Sequence, residues 1–226
     1  MKLSIVMPVF NEASTILEII RRVMEIPTEK ELLVIDDGST DGTRDILAGV
    51  ALEGVKVILQ DRNQGKGAAI RAALPHVSGE IVAIQDADLE YEPLNLPTLA
   101  QPIRDGRAQV VYGTRFHPGN SIPWTKFKIA ARMLSLFTNM LFPGAGVTDE
   151  ATCYKLVRTD LMRSLDLRCN RFEFCPEVTA KILKRGVPIL EIPIAYTPRT
   201  VDEGKKIRWF DGFEAFWTLF RYRLFD

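Results

Sequence analysis

The chain has 226 residues, of which 46% are hydrophobic and 26% are charged; this balance excludes a disordered chain and fits one large α/β domain. Its 29 basic residues are matched by 29 acidic ones, whereas a nucleic-acid-binding protein usually carries a basic excess, so no nucleic-acid partner is expected. The three cysteines lack CxxC spacing, which disfavours a disulfide framework and a zinc site and favours reduced thiols.

The N-terminus enters an apolar run directly, without the layout of a signal peptide. No window approaches the roughly 20 apolar residues that a membrane span needs. We therefore expect a cytoplasmic protein whose contact with a membrane is peripheral, at the inner face.

Strands and helices alternate along the chain. Apolar runs predict buried strands at residues 3–9, 32–35, 55–59, 81–84, 108–113 and 187–194. Helical spacing and helix-start residues predict helices at residues 13–24, 43–50, 66–75, 93–105, 126–141 and 171–185, the first of them capped by Asn11 or Ser14. The pattern predicts one α/β domain with a mostly parallel central sheet flanked by helices, and two prolines predict that the last strand lies at a sheet edge or is only briefly paired.

Acidic side chains follow the strand predicted at residues 81–84, and the rest of the chain can be understood as their scaffold. Asp86 and Asp88 come at the carboxyl end of this strand, where open α/β sheets bind ligands. Two carboxylates one residue apart repel each other unless a cation lies between them, and a divalent metal that carries a diphosphate is the usual solution. Glu90 could add a third oxygen. The alternative is a solvated acidic turn.

Other strand ends carry further candidates. Asp36 and Asp37 begin a loop that could hydrogen-bond a ribose or a base, or that is simply well capped. Lys66 lies between two glycines at a helix start, where backbone N–H groups favour an anion. The loop has neither GxxxxGK[ST] nor GxGxxG, which argues against a nucleotide hydrolase and a dehydrogenase. Arg115 could bind a phosphate with two hydrogen bonds or form a structural ion pair.

Two features close the chain. Residues 197–206 are polar, with three cations and a glycine, and would suit either a lid over an anionic substrate or an ordinary loop. The sequence predicts an aromatic helix with basic residues near its end at residues 207–225. Such a helix is typical of an interfacial membrane anchor, but it could equally dock on the core or form a dimer.

Together these motifs resemble one family, the inverting family 2 glycosyltransferases, and in particular the dolichyl-phosphate mannose and glucose synthase branch. The resemblance covers essentially the whole chain. It rests on VMPVFNE at 6–12, VIDDGSTDGT at 34–43, NQGKGAAIRAAL at 63–74, DADLE at 86–90, GTR at 113–115, TDEATCYK at 148–155, FEFCPEVTAKILKRG at 172–186 and the loop at 199–206.

The resemblance implies a glycosyltransferase A-type fold, with residues 1–115 binding a nucleotide sugar, residues 116–207 binding the acceptor, and residues 208–226 forming the amphipathic helix. It also implies roles for single residues. The nucleotide would be held by Pro8, Phe10, Glu12, Asp36 and Asp37; a divalent Mg or Mn by Asp86, Asp88 and Glu90; the acceptor phosphate by Arg115 with Arg132; and donor or acceptor phosphates by Arg199 and Lys206. Cys175 and the Tyr154-Lys155 pair depart from the family's pattern, which leaves the sugar open.

We expect transfer of a hexose from a nucleotide diphosphate sugar, GDP-mannose or UDP-glucose, to a polyprenyl phosphate, with Asp88 and Arg115 as the catalytic residues. Because a phosphate oxygen is already anionic, Asp149 and Glu150 are expected to contact acceptor or sugar and not to remove a proton. A sugar hydroxyl acceptor would instead need one of them as a base. A nucleotidyltransferase, which also uses paired carboxylates and a metal, and a membrane-recruited binding module are alternatives from other classes. A homo-oligomer or a membrane-protein partner is compatible with the sequence.

Overall fold

The computed structural model describes residues 1–120, 122, 125–199 and 209–225. Strands and helices alternate as far as the fifth strand. The strands are β1 (Leu3–Val9), β2 (Lys30–Asp36), β3 (Val55–Leu59), β4 (Ile81–Ile84), β5 (Val110–Thr114), β6 (Lys155–Arg158) and β7 (Leu190–Pro193). The helices are α1 (Ile16–Met24), α2 (Thr43–Ala48), α3 (Lys66–Ala73), α4 (Leu96–Arg104), α5 (Lys126–Leu141), α6 (Thr159–Ser164), α7 (Phe174–Lys184) and α8 (Trp209–Leu224).

The described strands form one seven-stranded sheet in the order β3-β2-β1-β4-β6-β5-β7. All pairings are parallel except those of β6, which runs antiparallel to both β4 and β5. The predicted mostly parallel sheet is therefore confirmed. Because β6 is reversed, the residues that precede it lie beside the carboxyl ends of its two neighbours, and this places them at the same edge as the acidic stretch.

The hydrophobic pattern explains why these segments take these positions. β4 is buried along its whole length, as a strand covered by helices on both faces must be. On α1 the buried residues Ile16, Ile19, Ile20 and Val23 recur at helical spacing and face the sheet. At Gly67 in the first turn of α3, a Cβ atom would lie 2.5 Å from the carbonyl oxygen of Cys169, so the absence of a side chain lets this helix pack closely.

Two local predictions were wrong. The first helix begins at Ile16, not at residue 13, and neither Asn11 nor Ser14 caps it. Asn11 has a left-handed φ of 52°, and its Oδ1 accepts a hydrogen bond of 2.8 Å from the Thr40 N–H. The Asn11 side chain therefore joins the loops after β1 and β2.

The prediction for the last strand is confirmed, because β7 lies at the edge of the sheet.

A second, smaller core lies away from the sheet, between α5, α7 and α8. Its buried members are Leu134, Phe142, Ala180, Ala215, Leu219 and Tyr222. One face of α8 therefore docks on the protein, as one of the two interpretations of the aromatic helix expected. Within the part of the chain that the structure describes, no helix is both long and apolar enough to cross a membrane.

At the sheet edge opposite the acidic stretch, Glu31 joins β2 to β1 and to the turn before β4. Its carboxylate accepts hydrogen bonds from the Ser4 hydroxyl at 2.5 Å and from the Ser78 N–H at 2.6 Å, and it lies 3.3 Å from the Lys2 ammonium. Burial opposes ionisation of Glu31, but these hydrogen bonds outweigh it and lower its pKa to about 2.

A lowered pKa means that the Glu31 carboxylate stabilises the fold above its unfolded pKa, and that this stability is lost as the pH falls towards 2. We expect Glu31→Gln to unfold more easily at pH 7 and to lose less stability than the parent between about pH 5 and pH 2. Urea denaturation across this range measures both effects. The exposed Glu53→Gln is the control; a parallel loss of stability in the parent and Glu31→Gln would contradict the assignment.

Candidate active site

The site forms where the carboxyl ends of β1, β2, β4 and β5 meet the start of β6. Asp86 lies two residues after β4, half-buried, and its Oδ1 is 2.6 Å from the Lys66 Nζ at the start of α3. Burial opposes the charge on Lys66, but the Asp86 carboxylate outweighs burial and raises the lysine pKa well above its usual range. Lys66, predicted to meet an anion, thus meets a carboxylate of the chain itself.

Asp88 has a different environment. Its Oδ1 accepts a 3.1 Å hydrogen bond from the Glu90 N–H, and it forms no ion pair with a described residue. Burial raises the pKa of Asp88 to about 7, and the charges of Asp86 and Glu90 add to the rise. A half-buried carboxylate that faces two further acids is where an added cation would be most stabilising.

Glu90 is buried and directed towards the segment after β7. Its Oε2 accepts a 2.7 Å hydrogen bond from the Tyr196 hydroxyl, and its Oε1 accepts one of 2.8 Å from the Arg199 N–H. Among residues 1–120, 122, 125–199 and 209–225, no three His, Cys, Asp or Glu side chains are grouped so that they could hold a metal ion. The structure therefore does not assemble Asp86, Asp88 and Glu90 into one three-ligand centre.

The residues present still fit a divalent cation in part. Asp88 supplies a hard carboxylate oxygen without an ion-pair partner, and Asp86 lies close enough for its charge to raise the Asp88 pKa. Glu90 already has hydrogen-bond donors on both oxygens. A cation at this edge would be held by Asp88 with Asp86, and its other ligands would have to come from a substrate or from water.

The predicted nucleotide-binding residues come from the ends of β1 and β2. Pro8 lies in β1, and Phe10 and Glu12 lie in the loop that follows this strand. The buried Asp37 accepts hydrogen bonds from the Gln64 N–H at 2.8 Å and the Gly65 N–H at 2.7 Å. Burial raises the pKa of Asp37 although these two donors oppose it.

Asp36 is fully buried, and the Ser39 N–H lies 3.3 Å from its carboxylate oxygens. Both acids thus fix the loops that border the crevice. A cavity of about 550 Å³ opens beside them and is lined by Leu59, Gln60, Asp61, Arg62 and Gln64.

Arg199 spans the crevice between Glu12, which follows β1, and the acidic turn that contains Asp88. Its Nη2 lies 2.9 Å from Glu12 Oε2, and its Nε donates a 2.5 Å hydrogen bond to the Asp88 carbonyl. Lys206, the other cation predicted for this segment, lies outside the described residues.

Arg115 follows β5 and is held by Asp149, which precedes β6. Its Nε and Nη2 donate hydrogen bonds of 2.8 and 2.7 Å to the two oxygens of the fully buried Asp149. The guanidinium carbon also lies 5.2 Å from the ring centre of Tyr196 and 5.6 Å from that of Phe116. Arg132 of α5 approaches the same Phe116 ring at 4.8 Å, so the two arginines predicted for the acceptor phosphate share one ring.

The prediction of a substrate contact for Glu150 needs correction. Its side chain is fully buried, accepts a 3.0 Å hydrogen bond from the Thr179 hydroxyl and lies 3.7 Å from the buried Lys155 Nζ. Burial raises the Glu150 pKa although Lys155 opposes it. The geometry makes Glu150 part of a core network and keeps it away from the open edge.

Two aromatic residues beside the site, Tyr91 and Tyr196, were not predicted from the sequence. Tyr91 and Tyr196 pair as an isolated β-bridge with ring centres 5.1 Å apart, and Tyr91 accepts a 3.0 Å hydrogen bond from the Cys153 N–H. The available signal was an aromatic residue directly after the last predicted metal-binding acid and another just before the cationic loop. Their pairing depends on residues about a hundred positions apart.

Because the Arg115–Asp149 pair is buried, its loss should lower the free energy of unfolding far more than the loss of a surface pair of the same type. Asp149→Asn leaves a largely buried guanidinium unpaired, and we expect the free energy of unfolding to fall by about 3–5 kcal/mol. Asp160→Asn removes the exposed partner of Arg158 and should cost less than about 1 kcal/mol. Urea denaturation compares the two; equal losses would contradict a structural role for Asp149.

Comparison with known proteins identifies the family. The profile described as "Glycosyl transferase family 2" matches residues 4–165. The low-salt glycan biosynthesis hexosyltransferase Agl6 of Haloferax volcanii is 30% identical over 204 residues, which are 87% of this chain and 48% of that protein, so the chain spans about half of that relative. An undecaprenyl-phosphate mannosyltransferase of Micrococcus luteus is 28% identical over 91% of this chain and 87% of its own.

Solved structures agree on the fold. Glucosyl-3-phosphoglycerate synthase of Mycobacterium tuberculosis, in complex with Mn²⁺, UDP and glucosyl-3-phosphoglycerate, superposes with a TM-score of 0.73 at 22% identity, covering 98% of this chain and 79% of that one. The same enzyme with Mg²⁺ and UDP gives 0.72 at 24% identity and the same coverage. The predicted glycosyltransferase A-type fold is confirmed, and the profile match shows that the chain belongs to glycosyl transferase family 2.

Proposed function

We propose that the protein transfers a hexose from a nucleotide diphosphate sugar to the phosphate of a polyprenyl lipid, with inversion at the anomeric carbon. In this reaction an acceptor phosphate oxygen attacks the anomeric carbon, and the bond to the nucleoside diphosphate breaks. Residues 1–115 supply most of the donor-binding side and residues 116–207 most of the acceptor-binding side, with Arg115 facing the acceptor and Arg199 the donor diphosphate. The name of the Micrococcus relative, an undecaprenyl-phosphate mannosyltransferase, is compatible with this acceptor class.

The observation that carries the acceptor class is the pair of arginines on one aromatic ring. The guanidinium carbons of Arg115 and Arg132 lie 5.6 and 4.8 Å from the centre of the Phe116 ring, and Asp149 fixes the guanidinium of Arg115 with two hydrogen bonds. A fixed guanidinium presents donors in the planar geometry that phosphate oxygens match. Orientation of the acceptor phosphate by these two residues would supply much of the catalysis.

The carboxylates near the acceptor side support a phosphate over a hydroxyl. A hydroxyl acceptor needs a base, and the sequence offered Asp149 and Glu150 for this role. Asp149 is engaged by Arg115 through both oxygens, and Glu150 is buried against Thr179 and Lys155. A phosphate oxygen is already anionic at neutral pH and needs neither of them.

On the donor side we assign the nucleotide to Pro8, Phe10, Glu12, Asp36 and Asp37, and the diphosphate to the edge between Asp88 and Arg199. Lys66 would act through Asp86, which it holds in place. A divalent Mg or Mn bound by Asp88 with Asp86 would supply the positive charge that offsets the charge developing on the leaving diphosphate. Glu12 and Arg199 already lie 2.9 Å apart across the mouth of this crevice.

The function is tested by transfer of radiolabelled sugar from GDP-mannose and from UDP-glucose into undecaprenyl and dolichyl phosphate. We expect incorporation with one donor, loss of incorporation with EDTA and recovery with Mn²⁺. Asp88→Asn should lower kcat on the order of 10² or more, because it removes the charge that would hold the cation.

Asp105→Asn is the matched control, because Asp105 follows α4 at the opposite edge of the sheet and is paired with Arg107. It should leave the rate unchanged. Absence of incorporation by folded protein with every donor and lipid would end the proposal. Pyrophosphate release from a nucleoside triphosphate would point instead to a nucleotidyltransferase.

A membrane surface is the partner that we propose for α5 and α8. The two helices pack together through Phe137 and Phe216, whose ring centres are 5.2 Å apart. Each turns apolar side chains outward, and Leu136 is 71% and Phe213 is 69% exposed. Arg221 and Arg223 add positive charge at the end of α8. Because α5 also carries Arg132, a bilayer beneath it would bring a lipid phosphate to the two arginines.

We expect the protein to sediment with vesicles that contain phosphatidylglycerol, and the Leu136→Glu/Phe213→Glu variant to lose about tenfold or more of its vesicle affinity, because each exposed apolar side chain contributes about 1.5–3 kcal/mol when buried. Leu17→Glu/Leu94→Glu, with 58% and 60% exposed side chains on another face, is the control and should bind as the parent does. Unchanged binding of the first variant, or a doubled mass by light scattering that it abolishes, would favour an oligomer interface.

A further inference from the structure

The acidic turn is clamped by the segment that follows β7. The Thr197 N–H donates a 2.9 Å hydrogen bond to the Glu90 carbonyl, and Tyr91 and Tyr196 form an antiparallel bridge. The two oxygens of the Glu90 carboxylate then accept from the Tyr196 hydroxyl and the Arg199 N–H. One glutamate thus makes three hydrogen bonds to a segment more than a hundred residues away.

The turn itself is strained at the residue between the two acids. Leu89 has a φ of +61°, a left-handed conformation that a leucine adopts only at a cost. Such a conformation persists where the surroundings over-determine it. The Asp88 carboxylate closes the turn by accepting from the Glu90 N–H, and the clamp holds the far side of the same turn.

The clamp also determines where the Arg199 guanidinium lies. With its backbone N–H bound to Glu90, Arg199 reaches the Asp88 carbonyl through Nε and the Glu12 carboxylate through Nη2. The Tyr196 ring, fixed by the other Glu90 oxygen, lies 5.2 Å from the Arg115 guanidinium carbon. Glu90 therefore holds the backbone of Arg199 in place and keeps the Tyr196 ring against Arg115, whose guanidinium is itself bound by Asp149.

We propose that Glu90 is a positioning residue that clamps the Tyr196–Arg199 segment across the active site, and that it is not a third metal ligand. Its catalytic consequence rests on the proposed transfer reaction, while the clamp itself does not. The expectation from the family resemblance was that Glu90 completes a metal set. The two roles predict different behaviour of the same variants.

The first test needs no substrate or metal. NMR-detected amide exchange of the Arg199 N–H should speed up by about tenfold or more in Glu90→Ala, because a charge-assisted hydrogen bond is lost. Tyr196→Phe removes the neighbouring bond and should also speed it up. The control Tyr112→Phe removes a buried hydroxyl that bonds Thr179 in the core, and should leave this amide unchanged. An Arg199 amide that exchanges at the parental rate in Glu90→Ala would overturn the clamp.

The second test separates the clamp from metal ligation. Calorimetric titration of Mn²⁺ in the presence of UDP or GDP should give an affinity within about twofold of the parent for Tyr196→Phe. Glu90→Ala and Glu90→Gln should show the same moderate loss, because both remove a negative charge close to Asp88, and Asp88→Asn should show a larger one. A loss in Glu90→Ala as large as that in Asp88→Asn, with Glu90→Gln binding clearly more tightly than Glu90→Ala, would make Glu90 a metal ligand and overturn the proposal. If the parent bound no Mn²⁺ with either nucleotide, the proposed donor site would fail, and the amide exchange would still decide the role of Glu90.

Kinetics supply the third readout. In the transfer assay kcat should fall in both single variants, and the Mn²⁺ activation constant should stay within about twofold of the parent in Tyr196→Phe, since Arg199 would be misplaced while the cation stays bound. The double variant Glu90→Ala/Tyr196→Phe should be no slower than the slower single variant, because both changes release the same segment. Additive losses would show two independent roles and contradict a shared clamp.

Discussion

The Arg115–Asp149 ion pair is the interaction on which the rest of the active-site edge depends. It joins the end of β5 to the residues that precede β6, and the Asp149 N–H donates in turn to Glu191 of β7. Three strands are thereby tied together at one edge. The pair is possible only because β6 runs antiparallel to its neighbours, which brings its first residues to the edge where the parallel strands end.

The ion pairs at this edge indicate which carboxylate would interact with a cation brought by a ligand. Asp86 is paired with Lys66, Glu12 with Arg199, and Asp149 with Arg115. Among these carboxylates and Asp88, Asp88 is the one without an ion pair to a described residue, and its pKa is raised to about 7. A buried or half-buried carboxylate is stabilised in its charged form by a cation or by hydrogen bonds. A cation that binds together with the substrate would supply the positive charge that Asp88 lacks.

The second core gives α5 a position that serves two sides of the molecule. Leu134 on its inner face packs against α7 and α8, while Arg132 faces Phe116 at the candidate active site. Its outer face exposes Met133, Leu136 and Met140. A rigid helix with these three surfaces links the proposed lipid-facing side of the protein to the proposed phosphate site by direct geometry, without any conformational change.

The sequence by itself determined the elements and the edge. The bounds of β1, β3, β4 and α5 agree with their hydrophobic patterns, because burial on a strand or a helix face repeats at a fixed local period. The placement of Asp86 and Asp88 directly after β4 follows from the same local pattern. The motif order was also sufficient to identify the family.

Only the tertiary structure decided which side chains meet. Asp149 reaches an arginine 34 residues away, Glu90 binds the Arg199 amide 109 residues away, and Glu150 turns into the core although it is the neighbour of Asp149. The sequence shows the charge of each residue but not its partner, because partners are chosen by strand order and by the antiparallel direction of β6. The burial of Glu150 and the contacts behind the role proposed for Glu90 therefore became visible only in the folded chain.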